Sequence, residues 1–155
     1  ESPKDLSMRL AKTKARKIAD IKPQDLVIGS DQVVSFKNIS IGKPESYENA
    51  YQTLREFSGQ KIYVYTSAVI VIKQKKLELK HLDKTIIEFK HFTIKELEMY
   101  LRSQDIFDST AGIKYESKEF NLLVEQFITK DEQAIIGLPM IWLMKQIEKL
   151  VLDTR

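Results

Sequence analysis

The sequence contains no cysteine, which excludes both a disulfide framework and a thiolate metal site. Its two histidines, His81 and His91, stand ten residues apart with no metal-ligand spacing, and both read as strand-surface residues. Glycine and proline are scarce, with 5 and 4 residues, so each marks a specific turn. No apolar run approaches the length needed to span a bilayer; Ser67 to Ile72 is among the longest. No signal-peptide pattern opens the chain. GxGxxG, P-loop and GxSxG motifs are absent. The net charge of +3 is too small to argue for a nucleic-acid polymer or a membrane surface.

What is present is an ordinary globular composition: 155 residues, 43% hydrophobic and 30% charged. A single domain is expected at this length. ESPKDLSMRLAKTKARKIAD predicts a helix, with Ser2 as N-cap, Pro3 in the first turn and Asp5 completing a capping box. Its expected apolar stripe is Leu6, Leu10, Ala11, Ile18 and Ala19. LVIGSDQVVSF predicts a strand and KN a turn. A second helix is expected from Ser46 to Gly59, with Ala50, Leu54 and Phe57 inward. KIYVYTSAVIVIK, LELKHL and KTIIEFKHF read as three strands, with Tyr63 and Tyr65 on one face of the first. Thr93 and Glu96 box the start of a helix running to about Arg102. The stretch 105–120 reads as irregular, NLLVEQFI as a strand, and GLPMIWLMKQIEKLVL as a terminal helix whose Met140, Trp142 and Met144 face the core. The order predicts an α/β fold with a central sheet flanked by helices.

Four places offer chemistry. Asp31 interrupts the apolar run VIGSDQVV at an expected strand end. It is either a solvated turn residue or a carboxylate able to hold a divalent cation or accept a proton from water. Lys43, between Gly42 and Pro44, is either a surface turn residue or a point charge for a phosphate. Lys14, in LAKTKA, belongs to a basic helix face with Lys12, Arg16 and Lys17, or reaches into a cleft to neutralise a polyphosphate. In AGIKYESKEF, Glu116, Ser117 or Glu119 either decorates a charged loop or meets the paired donors of a guanine edge.

Taken in order, seven segments resemble the Maf family of nucleotide pyrophosphatases. They are LAKTKA (Leu10–Ala15), VIGSDQVV (Val27–Val34), IGKP (Ile41–Pro44), AYQTLREFSGQ (Ala50–Gln60), VYTSAVIV (Val64–Val71), TAGIKYES (Thr110–Ser117) and IIGLPM (Ile135–Met140). The resemblance covers essentially the whole chain. It implies a mixed, twisted central sheet, two lobes with a cleft between them, and usually a homodimer in the cytoplasm.

The implied reaction is hydrolysis of a nucleoside triphosphate between its α- and β-phosphates, with Mg²⁺ or Mn²⁺. Asp31 would be general base and metal-associated carboxylate, and Lys14 and Lys43 would contact the polyphosphate. SDQV resembles the branch acting on 7-methyl-GTP, whereas Thr after the Asp goes with dTTP and UTP; Gln32 is thus the candidate specificity residue. That branch places a Glu after AG in a K-S-E-G pattern. Glu116 is the first choice here, although a gapless alignment puts Ser117 opposite it. The family opens with a strand, a Ser/Arg phosphate loop and a VDE segment that this sequence does not show, so the single Maf-like domain, residues 1–155, is expected to be N-terminally incomplete. The alternatives are a dTTP/UTP pyrophosphatase and a catalytically inactive nucleotide-binding module.

Overall fold

A computed structural model describes residues 1–103 and 105–153. Helix α1 (Pro3–Ile21) starts as its capping signal predicts: the Asp5 N–H donates to Ser2 Oγ at 3.1 Å. Then come β1 (Val27–Phe36), β2 (Ile39–Ile41), α2 (Tyr47–Arg55), β3 (Lys61–Ile72), β4 (Leu77–Phe89) and α3 (Ile94–Ser103). The chain ends with α4 (Lys118–Leu123), β5 (Val124–Ile128), α5 (Glu132–Ile136) and α6 (Met140–Asp153). The five strands form one sheet in the order β2-β1-β3-β4-β5, an α/β arrangement as expected. β1 pairs antiparallel with β2, and β4 with β5. Lys37 and Asn38 join β1 to β2 with φ of 52° and 63°, the left-handed pair that a tight hairpin requires.

Three boundaries differ from the sequence expectation. LELKHL and KTIIEFKHF are one continuous strand, β4. The one residue between them is Asp83, and no glycine, proline or asparagine is there to make a turn. Asn121 to Leu123 close helix α4 instead of opening a strand, because Ser117 caps that helix, its Oγ accepting from Phe120 N at 3.1 Å. Short α5 was not expected at all; Asp131 caps it and Gly137, at φ 130°, ends it.

The chain forms two compact units. One comprises Glu1–Gln32, Tyr65–Lys84 and Thr129–Arg155. Here the alternation of β3 sorts its side chains onto two faces. Val69 and Val71 pack with Val27 and with Ala11, Ala15 and Ala19 of α1. Ala68 and Ile70 pack with Leu143 of α6, joined by Leu79, Met140, Trp142 and Leu150.

The buried stripe of α1 is Pro3, Ser7, Ala11, Ala15 and Ala19, one small residue per turn. Ile18, expected inside, is 47% exposed. The reason lies in β1: a Cβ added to Gly29 would meet Ala15 Cβ at 2.7 Å, so helix and strand backbones nearly touch and only small residues fit between them. Ser7 and Ser67 sit in the same packing, both fully buried, with their hydroxyls 2.7 Å apart. Met144, expected in the core, is exposed, whereas Met140 and Trp142 are partly buried against Leu143.

The other unit comprises Val33–Val64 and Thr85–Ile128. Ala50, Leu54 and Phe57 are fully buried, as their spacing predicts. Its core is aromatic: Phe36 meets Phe57 edge-on at 5.1 Å, and Phe89 meets Phe120 edge-on at 5.8 Å. Gly59, at φ 68°, turns the chain after α2 and donates its N–H to Lys90 O at 2.9 Å. Thr93 and Glu96 form the expected reciprocal cap of α3, at 3.1 and 2.8 Å. Among the described residues no helix is long and apolar enough to cross a membrane.

Candidate functional site

The first unit gathers Lys14, Asp31 and Gln32. On β1, odd and even residues face opposite sides. Gly29 and Asp31 share the side that meets α1, and Lys14 reaches from that helix to Asp31. Lys14 Nζ donates to Asp31 Oδ1 and, at 3.3 Å, to the Ser30 carbonyl. The Asp31 side chain is 13% exposed and that of Lys14 58%, so the carboxylate is enclosed while its cation meets water. Among the described residues no hydrogen bond reaches Asp31 Oδ2. This strand carboxylate is therefore held by one oxygen and open at the other.

The even side of β1 is fastened to α5 and to the turn that follows it. Ser30 Oγ donates to the Gly137 carbonyl at 2.5 Å. Gln32 Nε2 donates to Ile135 O at 2.7 Å, to Ala134 O at 3.2 Å and to Thr66 Oγ1 at 3.0 Å. Thr66 Oγ1 itself donates to Ala134 O at 2.8 Å. The two neighbours of Asp31 thus clamp α5 and the start of the Gly-Leu-Pro turn, and Thr66, in mid-strand of β3, belongs to the same network. Asp131, buried at 5% exposure, completes it: Oδ1 accepts from Gln133 N at 2.9 Å and Oδ2 from Ile141 N at 2.8 Å, capping α5 and α6 together. Sequence reasoning did not single out Asp131 or Ser30. The local signal for Asp131 was an Asp three residues before the short apolar run Ala134–Ile136.

The second unit brings together the loops that carry Lys43 and Glu116. Ala111 N donates to the Gly42 carbonyl at 2.9 Å. Gly112, at φ 70°, faces Pro44, with room for no more than a Cβ at 3.5 Å from Pro44 Cγ. Asn49 Nδ2 donates to Pro44 O at 3.0 Å, tying the loop to α2. Tyr100 of α3, fully buried, fixes the other strand of this crossing: its hydroxyl donates to Gly112 O at 2.6 Å and accepts from Lys114 N at 2.9 Å. Burial pushes the Tyr100 phenol well above the usual tyrosine range. The hydroxyl therefore stays protonated and keeps both roles.

Lys43 and Glu116 are exposed. Ser117 is 8% exposed and is used as the cap of α4, and its Oγ donates to Glu119 Oε2 at 3.0 Å. Of the three loop candidates, Glu116 is thus the one whose carboxylate is not engaged in starting a helix.

Among the described residues no group of three or more histidines and carboxylates is placed to hold a metal. One enclosed carboxylate suits a different mode. Mg²⁺ is commonly held by one or two carboxylates together with substrate phosphates. Asp31, with one oxygen open, fits a cation that arrives with a polyphosphate.

The chain is similar to known proteins along most of its length. The family described as Maf-like protein matches residues 1–150. The 7-methyl-GTP pyrophosphatase of Polaromonas sp. is 35% identical over 148 residues, covering 96% of this chain and 67% of that protein. Its namesake from Bordetella pertussis is 35% identical over 153 residues, covering 99% of this chain and 75% of the relative. That from Aliivibrio fischeri is 36% identical over 149 residues, covering 96% and 77%.

Proposed function

This chain belongs to the Maf-like protein family, and from that premise we propose that it hydrolyses 7-methyl-GTP to 7-methyl-GMP and pyrophosphate. The observation that carries the reading is the enclosed Asp31 carboxylate, paired with Lys14 on one oxygen and open on the other. The names of the relatives supply the substrate.

In this reading Asp31 Oδ2 accepts the proton of a water attacking the α–β anhydride. The P–O bond between those phosphates breaks, and pyrophosphate leaves with the electron pair. Lys14 and Lys43 offset the charge of the polyphosphate. Asp31 would also hold a divalent cation, Mg²⁺ or Mn²⁺, which when bound neutralises phosphate charge as a Lewis acid. Gln32 acts through the segment it holds, fixing Ala134 and Ile135 against the side of β1 opposite Asp31. Glu116 accepts from the guanine edge. Most of the acceleration comes from position and charge neutralisation, since phosphoryl transfer demands little else of a protein.

One observation favours a second reading of the substrate. Gln32 Nε2 is engaged by three protein oxygens, so Gln32 need not touch the base, and dTTP or UTP then remains a substrate class to test. Pyrophosphate release from 7-methyl-GTP, GTP, dTTP and UTP, with Mg²⁺ or Mn²⁺, decides. Selective turnover of 7-methyl-GTP supports the proposal, and preference for a pyrimidine overturns it. Binding without release from any of the four supports an inactive nucleotide-binding module.

The chain is further proposed to act as one Maf-like domain, in the cytoplasm, as a homodimer. Ile141, Met144, Val151 and Leu152 of α6, all exposed, support self-association. Sedimentation at two concentrations tests it, a monomer at both being the contrary result.

A further inference from the structure

Helix α1 carries a second polar contact, on the flank away from Asp31. Arg16 forms a two-pronged ion pair with Glu78 of β4: Nε donates to Oε2 at 2.8 Å and Nη2 to Oε1 at 2.9 Å. This fork fixes the register of helix against strand. One turn back along α1, four residues at about 1.5 Å each, stands Lys12. Two residues along β4, at about 3.3 Å each, stands Lys80, on the same side of the strand as Glu78. The two steps are nearly equal, so Lys12 faces Lys80 as Arg16 faces Glu78. The nearby Lys80 holds the Lys12 ammonium below the usual lysine range, in keeping with that register.

Three cations, Lys12, Arg16 and Lys80, thus surround the single Glu78 carboxylate. Both of its oxygens are already taken by Arg16. Among the described residues no ion pair reaches Lys12 or Lys80, so the two lysines stand side by side with two positive charges. Like charges at that separation repel, and an anion between them would relieve the repulsion and accept from both. Lys12 and Lys14 are separated by two residues, about 200° around the helix. This pair therefore looks away from Asp31.

We propose that Lys12 and Lys80 form an oxyanion site of the phosphate class, keyed into place by the Arg16–Glu78 fork and separate from the Asp31 site. The ligand is a small species with adjacent anionic oxygens, such as inorganic phosphate or pyrophosphate. The inference rests on the α1–β4 register alone and stands whether or not Asp31 is catalytic.

The test is a titration of the full chain with inorganic pyrophosphate, and separately with phosphate, followed by NMR of the lysine ε-methylenes at constant ionic strength. Lys12 and Lys80 should shift together, saturably, and before the other exposed lysines. Lys12→Met with Lys80→Met should weaken that binding by about tenfold or more, leaving the Lys14 response to pyrophosphate unchanged. A control pair, Lys75→Met with Lys95→Met, removes the same charge and should leave it intact. Even shifts across all surface lysines, or equal loss in the control, would show only a counterion atmosphere and overturn the proposal. Glu78→Gln supplies a second arm: freeing Arg16 from its fork should disturb the paired response of Lys12 and Lys80. An unaltered response would sink the keyed register.

Discussion

Gly29 lies against Ala15 with no room between them: a Cβ on the glycine would stand 2.7 Å from both the Cβ and the backbone N of the alanine. That contact sets the distance between α1 and β1, and with it the reach of Lys14 to Asp31. Gly29→Ala should therefore drive the helix off the strand. Overpacking of this kind costs about 1–3 kcal/mol. Denaturant unfolding should show that loss, together with a larger fall in turnover than in stability. A variant with wild-type stability would mean that the seam opens more easily than its geometry implies.

Asp31→Asn keeps the shape of the side chain and its bond from Lys14 but removes the base. Turnover should fall by about 10²–10⁴-fold. Unfolding should change little, because Lys14 is largely exposed and solvated pairs contribute about 0–1 kcal/mol. Near-normal pyrophosphate release in this variant would refute the role given to Asp31.

Tyr100→Phe removes one oxygen and leaves two backbone groups, Gly112 O and Lys114 N, without their partner. A buried unsatisfied group costs about 1–3 kcal/mol. The loop carrying Glu116 should loosen, so KM should rise more than kcat falls. Steady-state kinetics beside a thermal melt separates this from simple loss of folded protein. A fall in kcat alone would place the effect elsewhere.

Acid should weaken the α1–β4 contact. The Arg16 fork holds Glu78 below the usual carboxylate range. A folded-state depression of this sign stabilises the protein above the ordinary glutamate value of 4.5, and the contribution disappears as pH falls through the lower folded value. The group is partly exposed, so the effect should be under about 1 kcal/mol. Urea unfolding of the wild type and of Glu78→Gln should differ at pH 7 and converge as the pH drops towards 3. A gap that widens on acidification would contradict the sign.

The elements that the sequence announces are those with local chemistry. Ser2 with Asp5, Ser46 with Asn49 and Thr93 with Glu96 are caps closed within three residues, and all three are found. The Lys37-Asn38 hairpin is equally local. The misread elements are those decided at a distance. The stripe of α1 is small because of a glycine on another element, and β4 runs on through charged residues because the sheet carries it. The site divides in the same way. Asp31 and Lys14 stand out by residue type. The bond from Ser30 to Gly137 joins positions 107 apart, and no spacing in the sequence could have suggested it. Tyr100 carries no local signal either, because its hydroxyl works between Gly112 O and Lys114 N, 12 and 14 residues further on.

Ser7 and Ser67 give the α1 seam a property that alanines alone would lack. A row of small side chains is smooth, and a helix resting on one can slide or rotate with little change in contact. The paired hydroxyls are buried and satisfy each other only at one setting. Ser7 carries its own bond to the Lys4 carbonyl, at 2.9 Å, along with the helix, so a slip by one residue would strand the Ser67 hydroxyl away from water, at about 1–3 kcal/mol. The pair acts as an index mark. It makes the axial position of α1 a discrete choice, and the two ends of that ruler, Lys14 on one flank and Arg16 on the other, inherit their partners from it.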